Sequence, residues 1–290
     1  MLFNINTFRI VGRITMNAIL QELPELDSFY HLEKTQINSF QDKGYIKLNN
    51  ICTNDEISSY KDILKNTVLD AKKDELPLED RDLYGKAFLQ VGNLWKRNEQ
   101  AKKFVLAKRF GKIAADLMGV DGVRLYHDQG LYKEASGGIT PWHQDQYYWP
   151  VLEPHTITMW MPMVDLDANM GIVEFAEESH KKGPIASLNI SQESLDFYDN
   201  YVKENNTSIK NFDSINAGDA TFHSGWTLHR AGENITGKMR EIMTIIFIAD
   251  GITIKEPEQD SQKSDMNKFF PGKKPGDIGI TEMNPLIYKR

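Results

Sequence analysis

Two histidines and one carboxylate in this sequence have the types and spacing to hold a metal ion. Trp142, His143, Gln144 and Asp145 run in order, and a further histidine, either His223 or His229, follows far downstream. In an extended strand, residues two apart project from one face, about 7 Å apart along the chain, so His143 and Asp145 can converge on one ion. Two imidazoles and one carboxylate make a facial triad, the donor set of non-haem Fe(II) sites, which leaves positions open for a chelating co-substrate and dioxygen. A His-x-Asp pair alone is common and reads equally well as a hydrogen-bonded pair in a polar loop.

Arg240 adds a second kind of group. It lies 240 − 229 = 11 positions after His229 and just before the apolar run Ile242–Ile248. A buried cation at the start of a strand needs an anion, either a structural Asp or Glu or the carboxylate of a ligand held bidentately. 2-Oxoglutarate could meet both demands, since its keto acid end chelates iron and its far carboxylate needs a cation. Aromatic residues Trp142, Tyr147, Tyr148, Trp149 and Trp226 flank the candidate ligands. They serve equally as core or as substrate contacts, with Tyr148 and Trp226 the candidates for the latter.

The elements that must position these groups are short strands. Val123–Leu131, Thr156–Val164, Ile172–Phe175, Ala220–His223 and Glu241–Ile248 are bounded by Gly, Pro and Asp, a spacing that suggests a sandwich or barrel. Helical texture precedes them. Thr53 and Glu56 form a capping box before Ile57, Tyr60, Ile63, Leu64 and Val68, and a second helix is expected across Phe104–Met118 with Gly119 just beyond. Residues 189–205 read as a helical or loop insert, and the tail after Asp250 as surface loops. The expected organisation is one domain over 1–290, comprising an N-terminal extension (1–30), a mainly helical flank (31–120), a β core (121–250) and a loop-rich tail (251–290).

Composition narrows the function classes. The chain has 290 residues, 40% of them hydrophobic, and a formal net charge of −7. Without a basic block it is a poor partner for nucleic acid or an anionic membrane, and no obligate protein partner is evident. Cys52 is the only cysteine, which excludes an internal disulfide and fits a cytoplasmic location. No apolar run reaches the roughly twenty residues of a membrane span. The first fifteen residues make a poor signal peptide, and Met16 is a candidate alternative start.

Several longer runs carry a family resemblance. HQDQYYWP at 143–150, TMWMPMVDLD at 158–167, GIVEFAEESH at 171–180 and GDATFHSGWTLHRAGEN at 218–234, followed by Arg240, resemble the phytanoyl-CoA dioxygenase family over roughly residues 120–250. The resemblance implies a mainly β fold with flanking helices, built on a double-stranded β-helix, or jelly roll. It implies His143, Asp145 and His229 as iron ligands, leaving His223 packed nearby or hydrogen-bonded. Arg240 would take the far carboxylate of 2-oxoglutarate, with Gln129, Trp160 and the Thr158 hydroxyl beside the co-substrate. Relatives often carry Ser two residues after the distal histidine; Ala231 stands there in this chain, which puts one carboxylate hydrogen bond in doubt.

The implied activity is an Fe(II)- and 2-oxoglutarate-dependent dioxygenase. It would use O2 to oxidise a small-molecule substrate, most simply by hydroxylation, while 2-oxoglutarate decarboxylates to succinate and CO2. Related halogenases replace the carboxylate ligand with a small residue, so Asp145 favours hydroxylation, desaturation or ring closure. The alternatives are a β-barrel that binds metal or ligand without turnover, and a protein or nucleic-acid demethylase. The acidic balance argues against the demethylase. The family name does not fix the substrate.

Overall fold

The computed structural model describes residues 22–189 and 191–290. Met16 and most of the expected N-terminal extension lie outside the described residues. The flank begins with α1 (Lys34–Lys43), β1 (Tyr45–Leu48) and α2 (Asn54–Ala71). As expected, Thr53 caps α2: its hydroxyl accepts from Glu56 N at 3.2 Å, and Thr53 N donates to the Glu56 carboxylate at 2.8 Å. Then follow α3 (Leu83–Ala87), β2 (Leu89–Gly92), α4 (Leu94–Arg97), α5 (Glu99–Val105) and α6 (Lys108–Met118). The flank is therefore not purely helical, because β1 and β2 both join the main sheet.

The single helix expected across Phe104–Met118 is broken at Leu106 and Ala107. Its two aromatic residues explain the break. Six positions apart on one helix, Phe104 and Phe110 would point about 120° away from each other. With the break both are fully buried, and their rings meet edge to face at 5.2 Å. Arg109 fixes the new axis by pairing with both Glu56 carboxylate oxygens at 2.8 Å.

The β core comprises β3 (Gly122–Lys133), β4 (Thr140–His143), β5 (Thr156–Pro162), β6 (Leu166–Asp167), β7 (Val173–Ala176), β8 (Ile209–Lys210), β9 (Ser214–Ile215), β10 (Ala220–Ser224), β11 (His229–Ala231) and β12 (Arg240–Ala249). The insert forms α7 (Gln192–Glu204), capped by Ser191. The tail is more ordered than its composition suggested, for it contains α8 (Asp260–Phe269) and β13 (Leu286–Lys289). Gln262, Met266 and Phe269 recur at helical spacing on one side of α8, but only the last two are apolar, a stripe too thin to stand out among the lysines and aspartates around it.

The major sheet runs β1-β10-β5-β12-β3-β13, with β2 also on β3; the minor sheet runs β4-β11-β7-β8, and β6 pairs with β9. All the pairings are antiparallel, giving the jelly-roll arrangement. The major sheet has two chemically distinct faces, as alternation requires. Ile157, Met159, Met161, Met243, Ile245 and Phe247 pack on the helices with Leu64, Val68, Phe110 and Leu117. The alternate residues Thr158, Trp160, Arg240, Thr244 and Ile246 line a cavity on the opposite face.

Gly130 lets α2 approach β3 closely, since a Cβ there would stand 2.4 Å from Val68 Cγ2. This contact holds the strand that carries Gln129. Gly130→Ala should destabilise the fold by about 1–3 kcal/mol through overpacking. Urea unfolding should show that adding Val68→Ala costs less than the sum of the two single changes, because it removes the clash. Additive effects would mean that the approach of α2 is not tight.

Candidate active site

His143 ends β4 and His229 begins β11, and the two are direct partners in the antiparallel pair. Their rings lie 4.2 Å apart. Asp145 does not continue the strand, contrary to the simple alternation argument. It opens a 3₁₀ turn, Asp145–Tyr148, and this turn brings its carboxylate back to the imidazoles. Asp145 Oδ1 is 3.5 Å from His143 Nε2 and 3.7 Å from His229 Nε2. One ligand atom from each of the three residues falls within a 4.8 Å cluster.

Neighbouring groups fix the orientation of each side chain. His143 Nδ1 lies 2.8 Å from Pro141 O and His229 Nδ1 lies 2.9 Å from Thr227 O. A carbonyl can only accept, so both Nδ1 atoms carry the proton, and both Nε2 lone pairs face the cluster. Burial, followed by the neighbouring imidazoles of His143 and His223, holds His229 well below the usual histidine range and therefore neutral. Burial opposes ionisation of Asp145, but the surrounding imidazoles, His229 foremost, outweigh it and keep the carboxyl well below its usual range.

The second oxygen of Asp145 is already engaged. Thr158 Oγ1 donates to Oδ2 at 2.8 Å, and His223 Nε2 stands 3.2 Å from the same atom. Thr158 thus spends its hydroxyl on the carboxylate, whereas the sequence reading placed it beside the co-substrate. His223 lies on β10 behind Asp145 and turns its Nε2 to the Asp145 atom that faces away from the imidazole pair. Of the other histidines, His31 and His155 are exposed, and His180 is half-buried with its Nε2 3.1 Å from Gln41 O.

The cluster opens into a cavity of about 620 Å³. At one end stands Arg240, only 1% exposed. Burial lowers its pKa to about 9. One guanidinium nitrogen donates to Gly171 O, Nε has no partner, and the group lies 5.7 Å from the centre of the Trp160 ring. No carboxylate of the described residues pairs with it, so the structural ion pair that would make this arginine unremarkable is absent among them. Lys133, its direct strand partner on β3, is likewise fully buried.

The other end is built from residues that alternation on β3 only partly foretold. A bulge where β3 passes β12 turns both Tyr126 and His127 inward. His127 lines the cavity two residues before Gln129, on the same side of the strand, and that shared parity was the available signal for it. Gln90 donates to Gln129 Oε1 at 2.5 Å, and Gln129 Nε2 lies 3.3 Å from His127 Nδ1. In this amide orientation His127 carries its proton on Nε2, and burial pushes its pKa down to about 3. Its ring stacks on Phe269 of α8 at 4.8 Å. Asp265 and Lys268 of the same helix reach the rim, and Tyr126 donates to Asp265 at 2.8 Å.

The flanking aromatics separate into two groups. Tyr148 and Trp149 line the cavity. Trp142 packs with Tyr198 and Leu228 beneath the minor sheet and donates to Asp199. Trp226 is half-buried in the turn between β10 and β11, off the cavity wall, and its carbonyl accepts from Gln144 at 2.7 Å. The side chain of Trp226 is thus not among those brought to the cavity.

The fold has well-defined structural counterparts. SnoK, a non-heme alpha ketoglutarate dependent carbocyclase from nogalamycin biosynthesis, superposes with a TM-score of 0.71 at 22% identity, covering 88% of this chain and 96% of SnoK. The epimerase SnoN, in complex with Fe3+, alpha ketoglutarate and nogalamycin RO, gives 0.70 at 19% identity over 87% of this chain and 97% of SnoN. EctD from S. alaskensis, with 2-oxoglutarate and 5-hydroxyectoine, gives 0.62 at 17% identity over 82% and 84%. No curated protein sequence matches. The sequence profile of phytanoyl-CoA dioxygenase matches residues 40–242, well over half of the chain. The chain therefore belongs to the phytanoyl-CoA dioxygenase family and is an Fe(II)- and 2-oxoglutarate-dependent oxygenase.

Proposed function

We propose that this oxygenase hydroxylates a small organic molecule, with His143, Asp145 and His229 holding the iron and Arg240 the far carboxylate of 2-oxoglutarate. The observation that carries this reading is one cavity containing both a three-ligand cluster and a buried arginine with an unpartnered Nε. The donor set suits the metal: two imidazoles presenting Nε2, and one carboxylate oxygen left facing them. Bound iron with 2-oxoglutarate and O2 would supply the oxidising power, with decarboxylation of the co-substrate to succinate and CO2.

The chain's own residues do the positioning. Thr158 and His223 hold Asp145 Oδ2, so that Oδ1 is the oxygen offered to a metal. Trp160 covers one side of Arg240 and excludes water from the carboxylate pocket, which strengthens charge pairing there. Gln129 borders the co-substrate and fixes the tautomer of His127. At the opposite end His127 Nε2 can donate to a substrate oxygen, between the aromatic surfaces of Tyr148 and Phe269. A cavity of this size suits the co-substrate and a compact second molecule.

The ligand assignment makes an unequal prediction for two neighbouring histidines. His143→Ala and His229→Ala should each lose Fe(II) binding, measured as retained metal and as the visible charge-transfer band formed anaerobically with 2-oxoglutarate. His223→Ala should keep both. The opposite result, with metal lost in His223→Ala and kept in His229→Ala, would overturn the assignment.

Arg240→Ala leaves a desolvated carboxylate unpaired. It should weaken 2-oxoglutarate binding by roughly 100-fold, about 3 kcal/mol, with iron still bound. If iron binds to the unaltered protein but no band forms with 2-oxoglutarate, the chelating co-substrate is wrong and a binding barrel without turnover becomes the better description.

A further inference from the structure

Helix α8 carries one pair of residue types twice at the same spacing, with opposite outcomes. On its outer side Asp260 and Lys263 pair at 3.1 Å, an ordinary i,i+3 contact of a helix surface. Asp265 and Lys268 repeat that spacing where the helix lines the cavity. They form no ion pair with each other or with any other described residue. Each is drawn elsewhere. Asp265 accepts from Tyr126 at 2.8 Å through one oxygen, and its other oxygen has no partner among the described residues. Lys268 Nζ lies over the Phe269 ring, 4.9 Å from its centre.

Both charges stand in the recess unneutralised. Burial pushes the Asp265 pKa up to about 6, with Tyr126 and Lys268 working against the rise. At neutral pH the carboxylate therefore holds a charge that its surroundings disfavour, and a cation beside it would offset that cost. His127 adds a donor, since its Nδ1 faces the Gln129 amide and its proton sits on Nε2. Lys268 is the nearest charge acting on that imidazole and, after burial, the main cause of its lowered pKa. The rest of this wall, Ile246, Tyr148, Trp149 and Phe269, is apolar or aromatic.

A ligand with only a positive charge would be repelled by Lys268, and one with only a negative charge by Asp265. A molecule carrying both meets both demands. We propose that the substrate is a compact zwitterion of the amino-acid kind. Its ammonium group pairs with Asp265, and its carboxylate is held by Lys268 and the Nε2 proton of His127. Asp265, Lys268 and Phe269 lie beyond residues 40–242, so the family match does not extend to them. This inference deepens the reading of the cavity as the oxygenase site and rests on it.

The test is anaerobic titration calorimetry of three probes into protein holding Fe(II) and 2-oxoglutarate. L-Norleucine carries both charges, hexanoate lacks the ammonium, and pentylamine lacks the carboxylate. L-Norleucine should bind at least about tenfold more tightly than either of the others. Asp265→Asn, which keeps an acceptor for Tyr126, should weaken L-norleucine about tenfold and leave hexanoate within about threefold. Lys268→Met should weaken L-norleucine and hexanoate, and leave pentylamine within about threefold. A role for Asp265 only in tying α8 to β3 would weaken all three probes alike. That pattern, an absence of L-norleucine binding, or equal affinity for a singly charged probe overturns the proposal. The two readings fail separately, because calorimetry reads the probes whether or not the visible band with 2-oxoglutarate forms. A missing band removes the co-substrate assignment; a band without preference for the zwitterion removes only the substrate class.

Discussion

The site depends on one backbone pairing, the register of β4 against β11. It sets His143 directly opposite His229 and, a few residues on, Thr140 opposite Ala231. Because side chains alternate across a strand, a slip of β4 by one residue against β11 would turn His143 out of the cavity and away from His229. The register is held by side chains away from the cavity. Trp142 packs under the minor sheet with Leu228, and Gln144 bridges to the carbonyls of Gly183 and Trp226. The Asp145 turn depends on this anchoring, and Asp145 itself is aimed by Thr158 and His223 from the facing sheet.

The second constraint is electrostatic. Arg240 and Lys133 are buried side by side with no anion among the described residues, an arrangement that disfavours the folded state on its own. It persists because β12 and β3 lie in the middle of the major sheet, with Ile245, Phe247, Val123 and Leu125 packed on the helices behind. The apolar face of the sheet thus offsets the strain held on its polar face.

The tail closes the opposite end. Gln259 and Gln262 of the α8 region donate to Tyr147 O in the Asp145 turn, and Phe269 stacks on His127. Residues 260–269 lie beyond the part of the chain that matches the family profile. The end of the cavity opposite Arg240 is therefore built partly from sequence outside that match, while the His143, Asp145 and His229 cluster and Arg240 fall within it.

The sequence by itself determined what depends on local order. Short segments bounded by Gly, Pro and Asp identified the core strands, the Thr53–Glu56 capping box marked a helix start, and the residue types of His143, Asp145, His229 and Arg240 limited the chemistry. Tertiary structure alone decided what depends on contacts between distant segments. The break between α5 and α6 arises because Phe104 and Phe110 must enter one core. Thr158 is drawn to Asp145 by a neighbouring turn, and Trp226 is held off the cavity wall by the turn it occupies. The inward turn of Tyr126 beside His127 needs a bulge that exists only when β3 pairs with β12. In the tail, the apolar stripe of α8 is too thin to signal a helix until the cavity gives Phe269 a place to be buried. Local patterns report the period of a chain; which groups meet is fixed by packing between residues that the sequence keeps far apart.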